Sequence, residues 1–316
     1  MKIIIIGAGN GGVWTALHYG YHTRNIKDIE IELIHDPEID TFPVGQAFFP
    51  GMSVLLYNAC DIDWYHNEVR TTPKLGILYE NWSKRTPNLF HEFPFHQIAM
   101  QADPKYLQKY ILNSGLFAVK EGNVTDLDMV DADVIFDCRG NTKKDDIEYE
   151  SLYCPVNSVL LAVGPSPTNP QLWSRHVATP DGWTFVIPNT TDTTSYGYLY
   201  NKDITPMETA KTNFSELFGK EFPNEMKTFN LPFESYLAKK IPLSPSASRV
   251  IVPEPVSTSI FPCVSVPETY TLPLLSKVIF ASSIILSADK VLDHSRLPLA
   301  SYLKNLKSYS EAELEA

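Results

Sequence analysis

The chain opens MKIIIIGAGNGG, residues 1–12, and this stretch decides the fold. Residues 1–6 are an apolar run of strand length. The glycines behind it keep the spacing Gly7-x-Gly9-x-x-Gly12, and residues 13–21 read as a helix. Strand, glycine loop and helix in this order are the fingerprint of a dinucleotide-binding βαβ unit. Gly7 permits the tight turn, Gly9 lets backbone approach a pyrophosphate, and Gly12 lets the helix pack close to its strand; Gly11 lies in the same loop. The helix N-terminus then aims free N–H groups and a positive dipole end at the anion. Residues 29–34 read as the second strand. Such units place an acid after it to hold a ribose hydroxyl, and here the chain reads Ile34-His35-Asp36. Either Asp36 serves with a slip of one residue, or His35 donates instead, or Asp36 caps the following turn.

Outward from this unit, composition sets bounds. The 316 residues suffice for a substantial core. Hydrophobic residues make up 44% and charged residues 20%, an ordinary soluble balance, and 24 prolines argue for a loop-rich chain over a helical bundle. The net charge of −11 repels phosphate backbones and anionic membranes, so nucleic acid is not an expected partner. No apolar run reaches the length of a membrane span, and residues 1–6 are too short for a signal peptide. Cys60, Cys138, Cys154 and Cys263 are scattered without a CxxC pair, so neither a metal site nor a disulfide framework is expected, and a cytoplasmic setting fits.

Further along, residues 52–59 and 105–113 read as helices and residues 74–81 as a strand. Residues 134–136 form a strand ending in Asp137-Cys138-Arg139-Gly140. Strands at 156–163, 182–188 and 196–200 belong to a second sheet, the last two as a hairpin. Residues 206–218 read as a helix with Thr205 as N-cap. Residues 241–268, rich in Pro and Ser, read as a loop or a segment of close backbone approach, and helices are expected at 274–289 and 299–306.

Several motifs, in order, resemble the flavin-dependent halogenases of the tryptophan type. After the second strand that family has a Pro-containing loop and a Gly-Glu-Ala-Thr segment opening a helix; Gly45-Gln46-Ala47-Phe48 stands here, with Gln46 in place of the glutamate. Residues 74–82, KLGILYENW, are similar to the family's lysine-bearing strand ending in Asn-Trp. Phe90-His91-Glu92-Phe93-Pro94 resembles an aromatic-His-Pro-Phe segment, and Asp137-Cys138-Arg139-Gly140 an Asp-Cys-Ser-Gly return to the flavin. Gly182-Trp183-Thr184-Phe185-Val186-Ile187-Pro188 is close to Trp-x-Trp-x-Ile-Pro, followed by Tyr196 to Tyr200 as in the family. Two departures stand out. Glu254-Pro255-Val256-Ser257-Thr258-Ser259 meets Glu-Pro-Leu-Glu-Ser-Thr-Gly without a counterpart for the second glutamate, which assists halogenation in the family. Residues 261–316 are short beside the family's helical substrate region.

The resemblance implies an α/β fold: a Rossmann-like parallel sheet for FAD with an interleaved antiparallel substrate-side sheet, residues 1–260, and a short helical segment, residues 261–316. It implies reduced FAD and halide as co-reactants, a flavin reductase as partner, and halogenation of a small, possibly indolic aromatic molecule through Lys74. A desolvated lysine loses its proton more readily and becomes nucleophilic; the commoner fate of a lysine is the surface. Cofactor contacts fall on Gly7, Gly9, Gly11, Gly12, Asp36, Gly45, Gln46, Ala47, Asp137 and Gly140. Trp183 and Phe185, two apart on one strand, face one side, toward flavin or substrate or simply into the core. Ser257 and Thr258 offer backbone N–H groups to halide or flavin, or form a turn. Glu80 is a candidate substitute acid on the Lys74 side, or exposed. No metal is expected. Another flavin monooxygenase and a flavin-fold binder without turnover remain alternatives.

Overall fold

The structure, a computed structural model, describes residues 1–39, 44–63, 66–140, 149–166, 171–190, 192–218, 231–232, 236–238 and 250–253. In chain order the elements are β1 (Lys2–Ile6), α1 (Asn10–Thr23), β2 (Glu30–His35), β3 (Gln46–Ala47), α2 (Pro50–Cys60), β4 (Thr72–Lys74), β5 (Gly76–Glu80), β6 (Asn88–Glu92), β7 (Ala99–Ala102), α3 (Pro104–Leu112), β8 (Ala118–Glu121), β9 (Val134–Asp137), β10 (Tyr149–Ser151), β11 (Ser158–Pro165), β12 (Ser174–Thr179), β13 (Gly182–Pro188), β14 (Thr193–Tyr200), α4 (Met207–Phe218), β15 (Leu231–Pro232), β16 (Tyr236–Ala238) and β17 (Val250–Pro253).

The first sheet is parallel, ordered β17-β9-β1-β2-β8. Its centre is β1, whose Ile3 to Ile6 are all buried because both faces are covered. Ile3 and Ile5 join a core with Val13 and Leu17 of α1, while Ile4 and Ile6 pack beneath Val130 and Ile135. The second sheet has seven strands, β15-β11-β14-β13-β12-β5-β6, antiparallel except for the parallel β12–β5 pair. One of its faces, with Leu160, Val177, Val186, Tyr196 and Tyr198, is covered by Phe214 and Phe218 of α4. The other carries Val159, Leu161, Phe185 and Ile187 against Val44 and Ala47. A small sheet, β3-β7-β4, stands as a third unit. Because β5, β6 and β11 to β14 are inserted between strands of the parallel sheet, the two large sheets are interleaved in sequence, as expected.

Some readings are corrected. The strand read over 74–81 is two strands: β4 pairs with β7 and β5 with β6 and β12, so the chain changes sheets at Leu75. Residues 250–253, inside the expected loop, form β17 and extend the parallel sheet. Strands β6, β7, β8 and β12 had no clear signal in the sequence. Cys60 and Cys138 are free thiols, whereas Cys154 is disulfide-bonded, against the expectation of none. The helices read at 274–289 and 299–306, and the whole segment 261–316, lie outside the described residues. Among the described residues no helix is long and apolar enough to cross a membrane.

Candidate active site

The glycine loop leaves β1 at its C-terminal edge. Gly7 has φ +102°, a conformation suited to glycine, and donates its N–H to Ile34 O at 2.8 Å. A Cβ on Gly7 would stand 2.3 Å from Cys138 O, and one on Gly12 would stand 1.8 Å from Gly7 O. Both glycines are therefore imposed by close backbone approach within the protein. Gly9 differs: a Cβ there meets nothing within 4 Å. It is the N-cap of α1 in extended conformation, and no side chain caps the helix. The first N–H groups of α1 thus face open space beside Gly9, which is what a pyrophosphate requires. Gly11 lies half-buried in the first turn of α1.

Cys138 N donates to Ile6 O at 2.8 Å, so the segment Asp137 to Gly140 arrives at the same edge. Asp137, 5% exposed, is held by Arg139 through Nε to Oδ1 at 2.7 Å and Nη2 to Oδ2 at 2.9 Å. Arg139 also reaches Val124 O at 2.7 Å, and its hydrogen bond to Asp137 raises its pKa. Gly140 has φ +99°. Asp36 follows β2 and accepts the N–H of Glu38 at 3.0 Å through Oδ1, the turn-capping geometry.

The strand β7 connects the remaining parts. It pairs with Gln46 and Ala47 on one side and with Thr72 to Lys74 on the other. It then leads into α3, where Gln108 donates to Ala8 O of the glycine loop at 2.5 Å. Gly45 N donates to Ser195 Oγ at 2.8 Å, and Asn189 Nδ2 donates to the same oxygen at 2.7 Å. The Asn189 amide lies so close to Gly45 that a Cβ there would be 1.5 Å from Oδ1. Gln46 Nε2 donates to Val44 O at 3.4 Å.

Lys74 is 4% exposed and has ring faces beside its ammonium, Phe93 at 5.3 Å and Phe49 at 5.8 Å. Burial lowers its pKa from 10.5 to about 7. Its strand is fixed by a buried polar chain: Thr72 Oγ1 donates to Pro188 O at 2.5 Å, and Ser174 Oγ to Gln101 Oε1 at 2.8 Å, with Gln101 Nε2 3.4 Å from Thr72 Oγ1. Glu80 does not share this surroundings. It belongs to β5 and pairs with Arg175, Nε to Oε2 at 2.6 Å, because the change of sheet at Leu75 breaks the alternation on which its placement depended.

Trp183 and Phe185 do share a face. Phe185 is fully buried with Val44, Ala47 and Ile187, so it meets the Gly45–Ala47 segment. Trp183 is half-buried and packs against His176, ring centroids 5.2 Å apart, and Trp82, 6.4 Å. Ser257 and Thr258 lie outside the described residues. Sequence reasoning missed the Asn189–Ser195 pair, the Thr72–Gln101–Ser174 chain, Gln108 and His176. None carries a local motif, since each acquires its role only through strand pairing.

Known proteins resemble this chain in part of its sequence and in its fold. The tryptophan halogenase family profile matches residues 2–116. Among curated protein sequences, none matches the chain at a significant level. Solved structures similar to this chain include a tryptophan 6-halogenase from Streptomyces toxytricini, at 16% identity and TM-score 0.67, covering 88% of this chain and 69% of that one. A flavin-dependent halogenase from Xanthomonas campestris is similar at 16% identity and TM-score 0.70, covering 98% and 76%. One from Brevundimonas sp. BAL3 is similar at 14% identity and TM-score 0.64, covering 89% and 70%. The chain thus shares its fold with solved flavin-dependent halogenases, and its residues 2–116 match the tryptophan halogenase family profile.

Proposed function

We propose that this protein is an FADH2-dependent halogenase acting on a small aromatic, indolic molecule, with Lys74 handling the oxidised halogen. The observation that carries the reading is the position of Lys74: a buried amine at the seam between the small sheet and the seven-stranded sheet, linked through β7 to the glycine loop. FAD fits the residues present. The uncapped N-terminus of α1 with open space at Gly9 suits its pyrophosphate, the Asp137–Gly140 segment adjoins that loop, and Gln46 and Ala47 are joined to the Lys74 strand through β7. Bound and reduced by a separate flavin reductase, FAD would supply the oxygen chemistry that turns chloride or bromide into hypohalous acid.

The protein's own residues do the rest. Burial of Lys74 holds its pKa at about 7, near the working range, so the side chain exists both as donor ammonium and as nucleophilic amine. The ammonium form hydrogen-bonds hypohalous acid, or the amine takes its halogen, and either route delivers halogen to a substrate held beside it. Arginine would not take the halogen, because it does not lose its proton. FAD, a flavin reductase, NADH and bromide, with indoles and phenols screened by mass spectrometry, test the reading. Brominated product from the wild type and none from Lys74→Ala, with flavin binding unchanged, is the expected result. Hydroxylated product alone would mean a monooxygenase. Neither product, with FAD bound, would mean a flavin-fold binder without turnover.

A further inference from the structure

Halogenation of an aromatic ring has two proton problems. The oxygen leaving the halogen needs a proton, and the ring carbon must lose one. Lys74 solves only the first. Among the described residues, Glu80 is paired with Arg175, Asp137 with Arg139, and Asp181 with Tyr198 and Asn213, so none of these carboxylates stands free to take the second proton.

His176 is the basic group on the right face. In β12 it stands opposite Phe185 of β13 and Tyr79 of β5, and paired residues point to the same side of a sheet. Its ring is fixed between Trp183, centroids at 5.2 Å, and Tyr79, at 5.4 Å and nearly perpendicular. Trp82 Nε1 donates to its backbone carbonyl at 2.9 Å. Ser174, two residues earlier on the same face, bonds to Gln101 of β7, the strand that pairs with Lys74. Among the described residues, the titratable groups sharing this face of the sheet are Tyr79 from β5 and the exposed His91 from β6, opposite Ile77, while the charge of Lys74 from β4 acts on His176.

We propose, resting on the halogenase reading, that His176 accepts the ring proton of the substrate carbon that Lys74 halogenates. The step balances. The ring's π electrons form the carbon–halogen bond as the halogen–oxygen bond of hypohalous acid breaks. That electron pair leaves on oxygen, and the Lys74 ammonium protonates it to water. The halogen is reduced and the ring carbon oxidised. The carbon–hydrogen pair then returns to the ring and the proton passes to the imidazole. Transfer of that proton from His176 to the now neutral Lys74 resets both groups. The cationic ring intermediate is a strong acid, so a weak base suffices. Burial, and then the Lys74 charge, push the His176 pKa from 6.5 down to about 3. Once Lys74 has given up its proton the repulsion ends, and the imidazole becomes a better base at the moment it is needed.

The test supplies wild type, His176→Gln and His176→Glu with FAD, a flavin reductase, NADH, bromide and either indole or ring-deuterated indole, in separate reactions. Mass spectrometry reads the rate at which brominated product forms from each. Wild type should brominate both at the same rate. His176→Gln should slow turnover on the order of 10²-fold and work more slowly on the deuterated ring, because proton loss has become limiting, and His176→Glu should restore both. Turnover by His176→Gln with no isotope effect on its rate would overturn the proposal while leaving the halogenase reading intact. No product from wild type would overturn both. Independently of turnover, the His176 ring, followed by NMR, should titrate higher in Lys74→Met than in wild type. An unmoved titration would disconnect the two groups and equally defeat the proposal.

Discussion

Gly9→Val separates binding from folding at the glycine loop. Gly9 has φ −63° and ψ −177°, accessible to any residue, and a Cβ there touches no protein atom within 4 Å. The variant should therefore fold, losing at most about 1 kcal/mol because valine is a poorer N-cap than glycine. The same open space is where a pyrophosphate would approach the first N–H groups of α1. A branched side chain filling it removes charge-assisted hydrogen bonds worth about 1.5–3 kcal/mol each. The loss of two weakens FAD binding by on the order of 10²- to 10⁴-fold, since about 1.4 kcal/mol is one factor of ten. Gly12→Ala should behave in the opposite way. Its Cβ would lie 1.8 Å from Gly7 O, so strand and helix must separate and the apoprotein itself is destabilised. Equilibrium urea unfolding of the apoproteins and FAD titration by flavin fluorescence measure the two quantities. A folded Gly9→Val protein with wild-type FAD affinity would refute the placement of the cofactor.

The buried ammonium predicts a pH dependence. Lys74 has a folded pKa of about 7 against 10.5 when unfolded, so between these values the unfolded chain holds more protons and stability rises with pH. Lys74→Met should remove that rise and be the more stable protein below the folded pKa, as checked by urea unfolding across the window. Gly45→Ala should destabilise the fold by about 1–3 kcal/mol, because the new methyl displaces the Asn189 amide from 1.5 Å away; Asn189→Ala in the same chain should recover part of the loss in the same assay. Phe185→Ala should destabilise by about 3–5 kcal/mol, since the ring is fully buried and fills the space over Gly197. Trp183→Ala, at a half-buried ring, should cost less in denaturant titrations.

What was legible in the sequence was local. Residues 1–35 announce a strand, a glycine loop, a helix and a parallel strand within one contiguous segment, and Gly12 has a short-range steric reason in Gly7 O. The apolar run of β1 and the hairpin of β13 and β14 follow from patterning alone, because side chains alternate along a strand with period two. Lys74 was singled out by the motif around it, and Trp183 and Phe185 by their spacing.

Tertiary structure decided the rest. The reading of residues 74–81 as one strand placed Glu80 beside Lys74, and only the pairing partners of β4 and β5 reveal that the chain changes sheets at Leu75. The bond from Thr72 to Pro188 spans 116 residues and that from Gly45 to Ser195 spans 150. Gln101, Ser174, Asn189 and His176 belong to no motif. By itself the sequence determined the nucleotide-binding unit, because backbone sterics and a helix end act within a few residues. It did not determine which side chains surround Lys74, because burial and a lowered lysine pKa come from strands distant in the chain that meet only once the sheets have paired.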